Sequence, residues 1–155
     1  MTGADSAVAS AQASHGSRRS VLAAAALYFA MVFAAGLILG PARVLWLEPW
    51  LGRTLAVLCE TPLLLCVMGV AARLAPSWAG AARDGISLIA IGLLALGFQQ
   101  IADLSVGFGL RGMTLSEQLA LFSTPPGWVY GFDLVAFALA PLILARHVKA
   151  PQPEV

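Results

Sequence analysis

The sequence predicts an all-α integral membrane protein, an antiparallel bundle of four transmembrane helices with short amphipathic segments on the outer side. Two observations support this class. The chain is 59% hydrophobic and 11% charged, whereas a soluble domain is roughly half apolar and about a quarter charged. Four stretches are also long enough to cross a bilayer, since a spanning helix needs about 20 mostly apolar residues. These stretches are 21–40, 54–72, 86–102 and 128–145.

The four spans leave no room for a second domain. We divide the chain into a disordered cytoplasmic tail at 1–20, a four-helix transmembrane domain at 21–147 and a second cytoplasmic tail at 148–155. The first tail is rich in Ala, Ser and Gly, with too few large apolar residues to build a core. The pair Arg18 and Arg19 is superficially similar to a twin-arginine export signal, but the long apolar run that follows indicates an uncleaved signal anchor.

The distribution of Lys and Arg predicts the orientation, because positively charged loops stay on the cytoplasmic side. With the N-terminus inside, six basic residues lie near the inner ends of the spans and three lie outside. The inner residues are Arg18, Arg19, Arg73, Arg83, Arg146 and Lys149, and the outer residues are Arg43, Arg53 and Arg111. We therefore predict a multi-pass protein of a bacterial inner membrane with both termini in the cytoplasm.

The loops differ between the two sides of the membrane. The inner loop, 73–85, is short and contains Pro76 and Gly80, so it is predicted to connect two adjacent antiparallel helices. The first outer loop follows Gly40-Pro41 and is too apolar at 44–47 to extend into water. We predict that this loop lies on the membrane surface.

The second outer loop contains a predicted amphipathic helix. Thr114 and Glu117 form a Thr-x-x-Glu capping box, and Leu115, Leu119 and Phe122 then share one helical face. The pair Pro125-Pro126 is expected to end this helix. Aromatic side chains suited to headgroup depth flank both outer loops, and they are Trp46, Trp50, Trp128 and Tyr130.

Two acidic side chains lie inside predicted spans, below the membrane interface. Glu60 is six residues into the second span and Asp133 is five residues into the fourth. A charge at the bilayer centre costs about 2.5 to 3.5 kcal/mol on insertion scales, so each carboxylate should face the bundle and find a partner. Arg43 leaves the membrane after the first span, and its long side chain can reach back. We predict an ion pair between Arg43 and Glu60.

The outer end of the third span adds two amides and a further acid at the same depth. The sequence therefore predicts a polar pocket that opens to the outside and comprises Arg43, Glu60, Gln99, Gln100, Asp103 and Asp133. Three uses of such a pocket stay open at this point. It could supply hydrogen bonds that hold the helices together, it could handle protons or cations, or it could dock another subunit.

Small residues form a stripe on the first span. Gly36-x-x-x-Gly40 allows close backbone approach of a second helix. We predict that Gly36 and Gly40 pack within the bundle, and contact with another protomer is the alternative.

Several function classes are not supported by the sequence. Cys59 and Cys66 are about 10.5 Å apart along one helix, too far for a disulfide, and His15 and His147 lie outside the spans. We therefore predict no metal site and no cofactor. Catalytic motifs are absent, which favours a protein that is not an enzyme. The formal charge of +1 argues against a nucleic-acid partner.

The chain also resembles a group of small, uncharacterised four-span proteins of proteobacterial inner membranes. The resemblance is densest between residues 28 and 62 and rests on a Gly-Pro-x-Arg element followed by Glu-x-Pro. The matching residues are Tyr28, Phe29, Gly36, Gly40-Pro41-Ala42-Arg43-Val44-Leu45-Trp46-Leu47, Pro49, Gly52-Arg53 and Glu60-Thr61-Pro62. The resemblance implies a fold and a location, but no activity.

The function expected from these observations is that of a non-enzymatic accessory or structural membrane protein. The alternative is a small proton- or cation-coupled transporter or channel that uses the acidic outer pocket. The lipid bilayer is the expected surrounding of the bundle. A second copy of the chain or another membrane protein is the remaining class of partner.

Overall fold

The computed structural model describes residues 3–109 and 111–145, with side chains from residue 17 onward. Within these ranges the chain forms five α-helices and one π-helical turn. The helices are α1 (Gly3–Ala42), α2 (Glu48–Trp78), α3 (Gly85–Gly109), α4 (Leu115–Leu121) and α5 (Pro125–Ala145), and the π-helical turn is Arg43–Leu47. The predicted C-terminal tail, 148–155, lies outside the described residues.

The N-terminal segment differs from the prediction. Helix α1 begins at Gly3, so residues 3–20 continue the first apolar helix where the sequence predicts a disordered tail. Alanine has the highest helix propensity, and a segment attached to an existing helix avoids the cost of nucleation. Both effects favour helix here even though the segment has little apolar surface to bury.

The chain reverses direction at Gly52. The backbone is helical from α1 through the π-helical turn into the first residues of α2, and Gly52 then interrupts it with φ 74° and ψ 164°. Side chains with a Cβ are almost excluded from this conformation. The reversal brings the rest of α2 back along α1, and the two helices pack against each other.

The four long helices form a square in cross-section. Helix α1 packs against α2 and α3, and α5 packs against the same two helices, so α1 lies diagonally opposite α5. Thr61 contacts Asp133, and Gly69 lies against Leu144. From the first contact to the second, the residue number increases on both helices, so α2 and α5 run parallel.

The inner loop therefore joins opposite corners of the square, whereas the sequence predicts that it joins neighbours. Residues 79–84 separate α2 from α3. An extended segment of this length reaches about 20 Å, which exceeds the diagonal of about 14 Å for helices packed about 10 Å apart. Successive long helices are antiparallel as predicted, but α1–α3 and α2–α5 are parallel neighbours.

Alanines make up most of the buried apolar residues of the described bundle, beside a few large side chains such as Tyr28 and Phe137. Large apolar residues cover its surface. The buried alanines are Ala24, Ala25, Ala56, Ala71, Ala72, Ala75, Ala95, Ala140 and Ala145. Exposed large side chains occur along every long helix and include Ile38, Leu63, Val70, Leu93, Ile101, Phe132, Val135 and Ile143. Small residues at helix contacts are typical of membrane bundles, and an apolar surface of this extent is unusual in soluble proteins.

Three helical segments of the described chain are long and apolar enough to cross a membrane. They are Ser17–Trp78, Gly85–Gly109 and Pro125–Ala145. The first has 62 residues and would measure roughly 93 Å as a straight helix, about three times the apolar thickness of a bilayer. It contains the reversal at Gly52, so it consists of two arms that lie side by side.

A hydrogen bond across the diagonal connects α1 with α5. Pro141 has no backbone N–H, so the carbonyl of Phe137, four residues earlier, has no helical donor. The buried hydroxyl of Tyr28 donates to that carbonyl at 2.9 Å. The rings of Tyr28 and Phe137 also stack, with their centroids 4.5 Å apart. Tyr28 therefore satisfies the backbone group that Pro141 leaves free.

We expect Tyr28→Phe to lower the free energy of unfolding by about 1–3 kcal/mol, because it leaves a buried carbonyl without a donor. Pro141→Ala restores an N–H at position 141 that can donate to the carbonyl of Phe137. In the Pro141→Ala background, Tyr28→Phe should therefore lower the free energy of unfolding by clearly less. Reversible unfolding in mixed detergent micelles measures both values. Equal costs in the two backgrounds would show that Tyr28 and Pro141 act independently.

Candidate functional site

A belt of polar side chains crosses the bundle near the end where α2 and α5 begin. We call it the polar belt and define it as Arg43, Glu48, Glu60, Thr61, Gln99, Asp103, Tyr130 and Asp133. It extends from the π-helical turn through α2 and α5 to α3. Apolar side chains surround it on both sides along the helix axes.

Arg43 holds two carboxylates at one end of the belt. Its Nε lies 2.9 Å from Glu60 Oε2, and its Nη1 lies 3.1 Å from Glu48 Oε1. The three side chains are largely buried, with exposed fractions of 12% for Glu60 and 18% for Arg43. The Nε–H of Arg43 does not point along a hydrogen bond, so the contact with Glu60 is an ion pair without aligned bonding. The predicted pairing of Arg43 with Glu60 is therefore present in the structure.

The geometry of the turn explains why Arg43 reaches both acids. Glu48 follows Arg43 by five residues, and its backbone N–H donates to the Arg43 carbonyl, which is the spacing of a π-helix. The wider turn places Glu48 one turn after Arg43 on the same face of the helix, so their side chains meet. The reversal at Gly52 then brings Glu60 back to the same level.

Asp133 lies at the centre of the polar belt. The hydroxyl of Thr61 donates to Asp133 Oδ2 at 3.1 Å and also lies 3.1 Å from the carbonyl of Val57. Asp133 is only 6% exposed. Its Oδ1 is buried and has no hydrogen-bond partner among the described residues. This oxygen is therefore the least compensated acceptor of the belt.

Asp103 closes the other end of the belt. Gln99 Nε2 donates to Asp103 Oδ1 at 2.9 Å, one helical turn away on α3. The hydroxyl of Tyr130 donates to Asp103 Oδ2 across the α3–α5 contact. Asp103 thus receives a hydrogen bond on each oxygen, and Tyr130 connects it to the helix that carries Asp133.

The predicted open pocket is not found in this form. Glu60, Asp103 and Asp133 share one level of the bundle, but protein donors connect them to neighbouring helices. The cavity near them is a groove of about 410 Å³ between α3 and α5, lined by Leu96, Gln100, Leu134, Val135, Ala138 and Leu139. This groove is apolar except for Gln100. Gln100 therefore lies at the edge of the belt and is not enclosed by the acids.

Sequence reasoning missed three members of the polar belt. Thr61 lies next to Glu60, and its hydroxyl could have been expected to bond to a neighbouring helix. Tyr130 lies one helical turn before Asp133, but its ring is also suited to the membrane interface. Glu48 escapes notice because ordinary helical spacing does not place it beneath Arg43.

Comparison with protein-family models, curated proteins and solved structures found no match to this chain. The resemblance to small four-span proteins stays a prediction, and the function must be argued from geometry. In the part of the chain that the structure describes, no three His, Cys, Asp or Glu side chains group together as metal ligands would.

The glycine stripe of α1 does not pack within the bundle as predicted. A Cβ added at Gly36 or Gly40 would meet no atom of the described chain within 4 Å. The close approach occurs instead at Gly92 on α3, where a Cβ would lie 1.9 Å from the carbonyl oxygen of Ala138. Among the described residues, the buried side chains of α1 end at Val32, before Gly36 and Gly40, so spacing alone could not locate the contact.

The end of the bundle that contains the belt presents apolar and aromatic side chains. The predicted capping box is confirmed, since Thr114 N–H donates to Glu117 Oε2 at 2.7 Å and Thr114 Oγ1 accepts from Glu117 N–H at 3.4 Å. The backbone N–H and the hydroxyl of Thr114 both donate to the Glu117 carboxylate and hold the pKa of Glu117 below its usual value. The box is therefore strongest above that usual value and weakens as the pH falls through the lowered pKa.

Helix α4 turns its apolar face away from the bundle. Leu115, Leu119 and Phe122 are exposed, while Gln118 lies against Gly107 of α3. Trp46, Trp50 and Trp128 are also exposed at this end. Pro125-Pro126 begins α5, whereas the sequence predicts only that it ends α4. Proline suits the first turn of a helix because its missing N–H needs no partner there.

Proposed function

We propose that this chain is a four-span, non-enzymatic protein of a bacterial inner membrane with an accessory or structural role. The polar belt is the observation that carries the proposal. Its charged and amide groups bond to partners on other helices or on the adjacent turn, and such bonds stabilise helix association in lipid. A catalytic site requires a reactive group held near an open space, whereas the groove beside this belt is apolar.

Four crossings follow from the two arms of the long segment. The arm before Gly52 and the arm after it pack side by side, and each is long enough to span a bilayer of about 30 Å. Helices α3 and α5 supply the other two crossings. Trp46, Trp50 and Trp128, which are exposed, then lie at the outer interface, where amphipathic rings are favoured.

The excess of basic residues near the inner ends predicts the orientation. Reporter fusions at Arg83 and Lys149 should behave as cytoplasmic, and fusions at Trp46 and Glu117 should behave as external. Alkaline phosphatase is active only outside the cytoplasm, so it should be active at Trp46 and inactive at Arg83. Activity at Arg83 would overturn the orientation, and equal behaviour of Trp46 and Arg83 would overturn the crossing between them.

The exposed face of α4 indicates how the accessory role is exerted. Leu115 and Leu119 are more than half exposed, and Phe122 is 40% exposed although its ring lies against Tyr130. They form an apolar strip that the described chain covers only in part, as in helices that lie in the membrane interface. Together with Trp128 they give the outer end a surface for lipid or for a membrane protein partner. The belt beneath keeps this end of the bundle fixed.

The second candidate function is proton- or cation-coupled transport, and the buried, unpartnered Oδ1 of Asp133 is the observation that favours it. Proteoliposomes separate the two functions. The accessory role predicts no ion or solute flux when a pH gradient is imposed across the vesicle. A flux that Asp133→Asn abolishes, while Arg53→Ala leaves it intact, would replace the accessory role with transport.

A further inference from the structure

Asp133 differs from the other acids of the polar belt in how its charge is compensated. Asp103 receives one hydrogen bond on each oxygen, and Glu60 contacts the guanidinium of Arg43. Asp133 receives a single hydrogen bond, from Thr61 to Oδ2. Its Oδ1 is buried without a partner among the described residues, and the residue is 6% exposed. An isolated carboxylate in such a place is costly, and the group neutralises instead.

Among the described residues, the groups that face Asp133 supply no positive charge that is not already paired. The π-helical turn contributes Arg43, which is already held between Glu48 and Glu60. Helix α2 contributes the acid Glu60, and α3 contributes the acid Asp103 through Tyr130. Helix α1 contributes only the neutral Tyr28, whose hydroxyl is bonded to Phe137. One guanidinium thus faces four carboxylates at this level of the bundle.

A proton fits this environment better than a metal cation. Calcium takes six to eight oxygen ligands and magnesium requires a near-octahedral set. The carboxylate of Asp133 and the hydroxyl of Thr61 provide three oxygens in all, and the Thr61 oxygen already donates to Asp133. A proton needs one free oxygen, and Oδ1 is that oxygen.

We propose that Asp133 is a proton-binding site and that it carries a proton on Oδ1 when the protein is folded in a membrane at neutral pH. The proposal goes beyond the accessory role and does not depend on it, since a protonated acid serves a static bundle as well as a transporter. In the neutral state Oδ2 still accepts the hydrogen bond of Thr61. Loss of the proton places an uncompensated charge beside Glu60 at the α2–α5 contact, so this contact is where the bundle responds to pH.

Carbon-13 NMR of the carboxyl groups tests the site in the full chain, reconstituted in nanodiscs of phosphatidylethanolamine and phosphatidylglycerol. Labelling only aspartate gives four signals, from Asp5, Asp84, Asp103 and Asp133. Asp84 serves as an ionised reference, because hydrogen bonds from Ser87 hold the pKa of this exposed acid below its usual value. We expect one of the four signals to have the shift of a protonated carboxyl at pH 7 and to move to the ionised position only at higher pH.

Assignment by substitution completes the test. Asp133→Asn should remove the protonated signal, and the matched change Asp103→Asn should leave it in place. Four ionised signals at pH 7, or a protonated signal that survives Asp133→Asn, would overturn the proposal. Thr61→Val keeps the acid and gives a second measurement if Asp133→Asn fails to fold. It removes the one donor to the carboxylate among the described residues, so the protonated signal should persist to a higher pH than in the unchanged protein. An unchanged titration would count against the site.

Discussion

Arg43→Ala is expected to lower the free energy of unfolding by about 3–5 kcal/mol. Removing one member of a buried ion pair leaves an uncompensated charge, and that is the typical cost. Here one guanidinium contacts two carboxylates, at 2.9 Å for Glu60 and 3.1 Å for Glu48. Reversible unfolding of the purified protein in mixed micelles would measure the loss.

A matched control and a double change show whether the pair itself is responsible. Arg53→Ala removes an exposed arginine for which the described residues provide no ion pair, and it should change stability by less than about 1 kcal/mol. Arg43→Leu combined with Glu60→Leu replaces the pair by apolar side chains and should recover much of the loss. The losses of free energy of unfolding in the single variants Arg43→Leu and Glu60→Leu are the reference. If these two losses simply add in the double variant, Arg43 and Glu60 do not interact in the folded protein.

Gly92→Ala is expected to destabilise the α3–α5 contact by about 3 kcal/mol, at the upper end of the usual range for overpacking. The added Cβ would lie 1.9 Å from the carbonyl oxygen of Ala138 and 2.9 Å from its carbonyl carbon. These are backbone atoms of a neighbouring helix, so relief requires the helices to separate. The helices carry the Tyr130–Asp103 hydrogen bond, which should weaken with them.

Gly97 on the same helix provides the control. A Cβ at Gly97 would meet no atom of the described chain within 4 Å, and alanine is a better helix former than glycine by about 1 kcal/mol. Gly97→Ala should therefore be neutral or stabilising in the same unfolding measurement. A similar loss for Gly92→Ala and Gly97→Ala would mean that the approach of α3 and α5 is not close at Gly92.

Local rules made several features of this protein predictable. Apolar stretches of spanning length correspond to the arms of the long segment, to α3 and to α5, because hydropathy and helix length are properties of consecutive residues. The capping box of Thr114 and Glu117 is predictable for the same reason, since two side chains three positions apart determine it. The pairing of Arg43 with Glu60 was predictable because Arg43 leaves the membrane after the first span, from where its long side chain can reach back to the acid of the second span.

Other features depended on which helices are neighbours. One of the two donors to Asp103 comes from α5, and the donor to Asp133 comes from α2. A sequence does not state that α5 lies between α2 and α3. The same limitation explains the misplaced glycine contact. Gly36 and Gly40 have the spacing of a packing motif, but Gly92 is the glycine that meets a backbone, and only the position of Ala138 makes that contact close.

By itself the sequence determined the helical class, the apolar segments, the caps and the depth at which charged side chains occur along each helix, since all of these follow from residues close together in the chain. Tertiary structure alone decided that α2 packs beside α5, that Tyr28 satisfies the carbonyl freed by Pro141, and that Asp133 is the acid left without a second donor. The physical reason is that a buried polar group is compensated by whichever atoms surround it, and those atoms come from segments as distant as α1 and α5.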